Sequence, residues 1–190
     1  YKEPSDDPYD DDECETYSFP LSYRGVFDLD DQQEIAENLA LLLEKPDATI
    51  VAHNAKFEQR WSKAILDADF PKNQTVCTMI NAHLIDERKK FCSLKFQAYL
   101  HFGLPDYSKS IKKYLESEEQ GGNAFNRVDD APLPELLEYN GFDTYYTYLL
   151  YKIQQKYRRD ERHLDKGVYT LFMRGSVSLG RAEHEGFYTV

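Results

Sequence analysis

The order of the apolar segments constrains the fold of this chain more than any other feature. The segment of residues 49–52 is short and apolar, as expected of a buried strand. A helical pattern with Phe57, Trp61 and Ile65 on one face follows directly. Residues 75–79 predict a second strand that runs into another helix. Strands that alternate with helices predict an α/β fold with helices flanking the sheet.

Further elements are predicted on either side of these strands. Residues 17–21 favour a short strand that ends near Pro20. Leucines at helical spacing then predict a helix, which Asp30 or Asp31 caps and which Pro46 stops.

The second half of the chain is predicted to be mainly helical. Ser93 begins a helix that Gly103 closes, since glycine is favoured just after a helix. Residues 104–131, which include a Gly-Gly pair, favour a surface insertion or mobile loop. The clearest helix begins at residues 132–134 and extends to about Tyr157.

Composition limits the class of protein. The 190 residues contain 34 acidic and 23 basic side chains, a net charge of -11, which argues against a protein that coats phosphate with lysine and arginine. An acidic protein can still act on nucleic acid if divalent metals mediate the contact. The cysteines Cys14, Cys77 and Cys92 are too few and scattered for a disulfide framework or zinc site, which favours a cytosolic protein. Apolar runs fall short of the roughly 20 residues of a membrane span, so we expect no membrane partner.

Residues 1–16 form an acidic stretch with almost no aliphatic side chains, which predicts a loop or tail. Its carboxylates could bind a metal, although the composition favours a solvated loop. They are Asp10, Asp11, Asp12, Glu13 and Glu15.

One candidate site lies where the first predicted strand meets its helix. Open α/β sheets bind ligands at the carboxyl ends of their strands, where Asn54 and Glu58 are expected. Asn54 suits the N-cap, and Glu58 lies one turn further. The alternative is a capped helix with an exposed glutamate.

A second candidate lies on the long helix. Tyr139 and Asp143 are four residues apart and therefore share a face. A tyrosine hydroxyl beside a carboxylate can orient a metal-bound water for attack on phosphorus. The alternative is a tyrosine packed on the core and an aspartate facing solvent.

Taken together, the two patterns resemble the exonuclease motifs of family A DNA polymerases. Residues 51–58 are similar to the second motif, Asn-x-x-Phe/Tyr-Asp. Tyr139 and Asp143 resemble the third motif in the tyrosine variant of the DEDD exonucleases. Three shorter segments also resemble the family. Residues 19–25 resemble the third strand of its sheet, residues 77–79 its Asp-Thr-Met, and residues 93–95 its Ser-Leu-x helix start.

Residues 179–187 resemble the Leu-Ala-x-Met-Glu-x-x-Gly segment that leads from the exonuclease into the polymerase domain. Free-standing RNase D-like and RecQ-associated exonucleases share the two motifs but are not expected to carry this segment. The resemblance covers residues 17–190. It implies an exonuclease domain over residues 17–165 and the start of the connection to the polymerase domain over residues 166–190.

The resemblance implies an RNase H-like exonuclease fold with a mixed sheet flanked by helices. It also implies proofreading 3′→5′ hydrolysis of single-stranded DNA ends with two divalent ions, Mg²⁺ or Mn²⁺. Asp143 would hold the first metal, Glu58 the second, and Tyr139 would align the water, while Asn54 and Phe57 would bind substrate. The resemblance also implies a polymerase domain of the same polypeptide as a partner. It implies the cytoplasm of a bacterial cell as the place of action, with the protein encoded by the bacterium or by a phage.

Two departures from the family pattern change this expectation. Glu58 replaces the usual aspartate, as in phage-type members, and we expect it to be tolerated. The first motif, Asp-x-Glu after an apolar strand, is mimicked only in letters at residues 11–13 and 13–16. We expect that motif before Tyr1 or removed from the chain, and the chain alone to be inactive or weak. The rivals are a non-catalytic scaffold of a polymerase, a free-standing RNA-trimming exonuclease and a plain α/β domain without activity.

Overall fold

The computed structural model describes residues 14–23, 25–88, 90–116, 126–159 and 166–186. The elements follow in chain order: α1 (Leu29–Leu43), β1 (Ile50–Ala52), α2 (Ala55–Leu66), β2 (Thr75–Cys77), α3 (Thr78–Ile85), α4 (Leu94–Phe102), α5 (Lys112–Leu115), a 3₁₀ turn (Val128–Asp130), α6 (Leu133–Arg159) and α7 (Lys166–Glu185). None of the helices in these ranges combines the length and apolar composition that crossing a membrane requires. The predicted α/β class is confirmed.

The two predicted strands form one small parallel sheet. Ile50 pairs with Thr75 and Ala52 with Cys77, and the Ile50 N–H donates to the Gln74 carbonyl over 2.9 Å. Helix α2 makes the crossover that two parallel strands require. In the described residues the sheet has only these two strands, both parallel, so the mixed sheet that the resemblance implies stays a prediction.

The predicted strand at residues 17–21 is wrong, because this segment has no regular secondary structure. Pro20 has no N–H to donate, and the described residues offer the segment no neighbouring strand. The chain is instead tied to the N-terminal side of α6. The Ser18 hydroxyl donates to Asn140 Oδ1 over 3.0 Å, and the Tyr23 hydroxyl donates to the Ala131 carbonyl over 2.8 Å.

Helix α1 begins earlier than predicted. Asp28, rather than Asp30 or Asp31, is its N-cap, and the Asp28 carboxylate accepts from the Asp31 N–H over 2.9 Å. Asp30 and Asp31 lie in the first turn, where acidic side chains favour the positive end of the helix dipole. The helix ends at Leu43, before Pro46.

The remaining helix predictions are confirmed. Ser93 caps α4 by accepting from the Phe96 N–H over 3.3 Å, and Gly103 closes it with a φ of 66°. The long helix α6 is present, with bounds close to those predicted. Part of the predicted 104–131 loop forms α5 and the 3₁₀ turn, whereas its Gly121-Gly122 pair lies outside the described residues, as do the carboxylates of residues 10–13.

Helix α2 turns its large apolar side chains towards solvent. Phe57, Trp61 and Ile65 do share a face, but each is between 43% and 55% exposed. The buried face of the helix consists of Ala55, Gln59 and Ser62. These side chains are uncharged, and α7 approaches the α2 backbone closely at Gly180.

Helix α7 completes the core and fixes α2. Met173 and Val177 are buried against Ala52 of β1 and Cys77 of β2. A Cβ atom on Gly180 would lie only 2.7 Å from the Lys56 carbonyl oxygen, so the two helices touch at a position where only glycine fits. Nearby, the Lys56 ammonium pairs with Glu183 over 2.7 Å, and Arg181 Nε pairs with Asp69 over 2.7 Å.

We expect Gly180→Ala to lower the free energy of unfolding by about 1–3 kcal/mol, because the added methyl group must push α7 away from the α2 backbone. Gly175→Ala on the same helix is the matched control, since a Cβ there meets nothing within 4 Å. This control should be neutral or more stable by up to about 1 kcal/mol, owing to the higher helix propensity of alanine. Urea denaturation measures both, and equal stabilities for the two variants would contradict the close contact.

Candidate active site

A pocket of about 1140 Å³ runs along β1 and the turn that follows it. Its walls come from β1, α2, α4, α6 and the segment Cys14–Thr16. All five residues selected from the sequence line this pocket. They are Asn54, Phe57, Glu58, Tyr139 and Asp143.

Asn54 joins β1 to α2 in a left-handed conformation, with φ 72° and ψ 55°. Asparagine is one of the few non-glycine residues that adopt this conformation readily. It occupies the predicted N-cap position, but its side chain makes no capping hydrogen bond. The backbone carbonyl of Asn54 instead accepts from the N–H groups of Phe57 and Glu58, over 2.8 and 3.3 Å. The Asn54 amide therefore makes no contribution to capping, and Asn54 lines the pocket.

Glu58 and Asp143 reach the pocket from two different helices, α2 and α6. The pKa of Glu58 is raised, first because the surrounding protein displaces water and second because the Asp143 charge repels the ionised form. Glu58 nevertheless keeps substantial solvent exposure, since the pocket is open. Two carboxylates that repel each other across an open pocket are stabilised by a cation between them.

Tyr107 is a site residue that the sequence did not reveal. Its hydroxyl donates to Asp143 Oδ1 over 2.5 Å. Tyr139, one turn before Asp143, lies close enough for the Asp143 charge to act on its phenol. Desolvation and the Asp143 charge raise the pKa of both phenols, so each stays protonated and can donate. Tyr107 lies between helices, where no periodic pattern selects one of the chain's 15 tyrosines.

Aromatic packing holds these phenols in place. The Tyr107 ring lies 5.7 Å from the Tyr139 ring and 5.3 Å from the Phe142 ring, measured between centroids. The Tyr146 ring, one turn further along α6, stacks 6.4 Å from Tyr107. Such ring pairs favour a defined geometry. The orientation of the Asp143 carboxylate therefore depends on the packing of the α4–α5 connection against α6.

His53, which follows β1, is hydrogen-bonded to the first residue of α3 and is uncharged. Its Nδ1 shares a hydrogen bond with Thr78 Oγ1 over 2.9 Å. Burial lowers the pKa of His53 to about 4, although a hydrogen bond with the Cys92 backbone acts in the opposite direction. The imidazole is therefore neutral at pH 7. The Gln154 amide of α6 donates to the Thr78 carbonyl over 2.9 Å, so Thr78 links β1, α3 and α6.

The oxygen donors of this pocket fit Mg²⁺ or Mn²⁺ in kind, because both ions favour carboxylate and water ligands. The number of these donors is small. In the part of the chain that the structure describes, no three or more His, Cys, Asp or Glu side chains are grouped so that they could hold a metal. Glu58 and Asp143 are the carboxylates that the predicted motifs supply. The pocket therefore brings together the carboxylates of the two predicted motifs.

Residues 18–157 match the model of a protein family described as 3′–5′ exonuclease, and the match covers more than half of the 190 residues. The chain thus belongs to the 3′–5′ exonuclease domains of family A DNA polymerases, which generally use divalent metal ions. It is 29% identical over 175 residues to a DNA polymerase of Escherichia phage T5. That alignment covers 86% of this chain and 20% of the phage protein, so the chain spans about a fifth of its relative. No solved structure matches the chain.

We expect His53 to make the folded protein less stable as the pH falls from about 6.5 towards 4. In this range His53 becomes protonated in the unfolded chain but stays neutral in the folded protein. The free energy of unfolding therefore decreases with decreasing pH. Between about pH 7.5 and pH 5, the original protein should lose about 2 kcal/mol more than His53→Asn, which has no titrating group there. Urea denaturation at the two pH values measures the difference. Identical losses would show that His53 is protonated in the fold.

Proposed function

We propose that this pocket is the 3′→5′ exonuclease site of a family A DNA polymerase and that it acts on single-stranded 3′ ends. One observation carries the proposal: Glu58 and Asp143, from helices far apart in sequence, line one pocket with Asn54 and Tyr139. This pocket lies within the region that matches the family. An RNase H-like fold is part of the proposal, supported by the parallel strands and their helical crossover.

The residues of the chain have separable tasks in this proposal. Asp143 and Glu58 would hold the divalent ions, which when bound lower the pKa of water and offset charge on the phosphodiester. Tyr139, kept protonated by its environment, would donate to or orient the attacking water. Tyr107 is a positioning residue, because its hydroxyl fixes one oxygen of Asp143. Asn54 and Phe57 would contact the terminal nucleotide.

In the proposed function, a terminal nucleotide enters the pocket after fraying from its template, which a mispaired base does at lower energetic cost. This is the selectivity that proofreading requires. The phage relative is a DNA polymerase, which supports a polymerase domain in the same polypeptide and a bacterial cytoplasm as the place of action.

A second candidate is a non-catalytic domain that supports a polymerase. It is favoured by the small number of carboxylates, since no three metal-ligand side chains gather among the described residues. Both candidates agree that the isolated chain has little activity. They differ in whether Glu58 and Asp143 bind metal together.

Manganese binding tests this difference. We expect the chain to bind Mn²⁺ weakly, and Asp143→Asn or Glu58→Gln to weaken that binding about tenfold or more, because each change removes a charged ligand. Isothermal titration calorimetry measures the affinity. Glu138→Gln is the matched control, since Glu138 is an exposed carboxylate of α6 outside the pocket. Equal affinities in all four proteins would exclude the metal site and favour the scaffold.

Degradation of a 5′-labelled single strand with Mn²⁺ provides the second measurement. We expect very slow loss of nucleotides from the 3′ end, or none, and retained binding of the oligonucleotide. Rapid shortening that Asp143→Asn abolishes would show that the described carboxylates suffice for catalysis. Shortening from the 5′ end would contradict the proposed polarity.

A further inference from the structure

Negatively charged side chains outnumber positively charged ones around the pocket. Three carboxylates line it, and they belong to Glu15, Glu58 and Asp143. His53 also lines it but is neutral at pH 7, because burial lowers its pKa to about 4. Among the described lining residues, Lys95 is the one lasting positive charge. A polyanion that enters this pocket meets repulsion from every charged side chain except Lys95.

Lys95 is held at the pocket by the rings that also orient Asp143. It lies in the first turn of α4, two residues after the helix cap Ser93. The Lys95 ammonium lies 5.1 Å from the centre of the Tyr139 ring and 6.0 Å from the centre of the Tyr107 ring. Both distances are within the range of cation–π attraction. The ammonium is therefore placed next to the Tyr139 ring and next to the Tyr107 ring, whose hydroxyl binds Asp143.

The ammonium group of Lys95 has no carboxylate of the described chain within ion-pair distance. The Lys95 charge acts on Asp106, whose carboxylate accepts from the Ser108 N–H and hydroxyl over 3.0 and 2.6 Å. These two hydrogen bonds are the main causes of the lowered pKa of Asp106, and the Lys95 charge adds a smaller effect. Contact with ring faces leaves the N–H donors of the ammonium available for a strong acceptor.

We propose that Lys95 binds a backbone phosphate of the DNA strand whose 3′ end enters the pocket. The inference rests on the proposed function and adds a substrate-binding residue to it. Lysine suits this task as a flexible point charge that can follow a phosphate on a mobile single strand. A purely structural lysine would instead serve only to pack the Tyr107 and Tyr139 rings. The two roles differ in their effect on the salt dependence of DNA binding.

The test is the dissociation constant of a single-stranded oligonucleotide at several salt concentrations, measured by fluorescence anisotropy in EDTA so that no hydrolysis occurs. Each phosphate that a protein neutralises on single-stranded DNA contributes about 0.7 to the slope of log affinity against log salt. We expect Lys95→Gln to weaken binding about threefold to tenfold at low salt and to lower the slope by about 0.7. Lys95→Arg keeps the charge and should keep the slope.

Lys109→Gln is the control, because Lys109 is an exposed lysine outside the pocket, and the same change of charge there should leave the slope unaltered. Urea denaturation, followed by the fluorescence of the single tryptophan, Trp61, verifies that each variant is folded. A slope that is unchanged in Lys95→Gln, with binding intact, would overturn the role of Lys95 and leave the proposed function in place. Failure of the original protein to bind single-stranded DNA, both in EDTA and with Mn²⁺, would overturn both.

Discussion

The contact between α2 and α7 is the interaction on which the rest of this fold depends. Because Gly180 has no side chain, the backbone of α7 can lie against the Lys56 carbonyl, and the pair of Lys56 with Glu183 reinforces the same contact. Lys56 precedes Phe57 and Glu58 in the chain. Contacts with α7 therefore fix one side of the first turn of α2, while Phe57 and Glu58 on this turn line the pocket. Met173 extends this support to the sheet, since its sulfur accepts from the Cys77 N–H over 3.2 Å.

A second set of polar contacts determines where Asp143 lies. Thr78 hydrogen-bonds to His53 through its side chain and to Gln154 through its backbone carbonyl. Gln154 follows Asp143 by about three helical turns, so both side chains lie on the same face of α6. Fixing Gln154 against Thr78 therefore sets the rotation of the long helix and directs Asp143 to the end of β1. A buried hydrogen bond about three helical turns from Asp143 therefore helps to position its carboxylate.

These contacts explain why the sequence predicts some features and not others. Asn54 and Glu58 could be predicted because a strand that runs directly into a helix places both at one sheet edge. Tyr139 and Asp143 could be predicted because they are four residues apart on a long helix. Tyr107 could not, because its hydrogen bond to Asp143 comes from packing between distant segments. The strand expected at residues 17–21 failed for a similar reason: strand formation requires a neighbour, and residue type alone does not supply one.

The acidic composition of the chain bears on how it could hold DNA. A net charge of -11 repels a phosphate backbone at long range, but salt at physiological concentration screens that repulsion beyond about 8 Å. Within that distance the local arrangement decides. The phenols of Tyr107 and Tyr139 stay neutral, so the negative charge of the pocket lies on its carboxylates. If the proposed function holds, DNA affinity should depend on divalent ions and on the Lys95 ammonium rather than on the net charge of the domain.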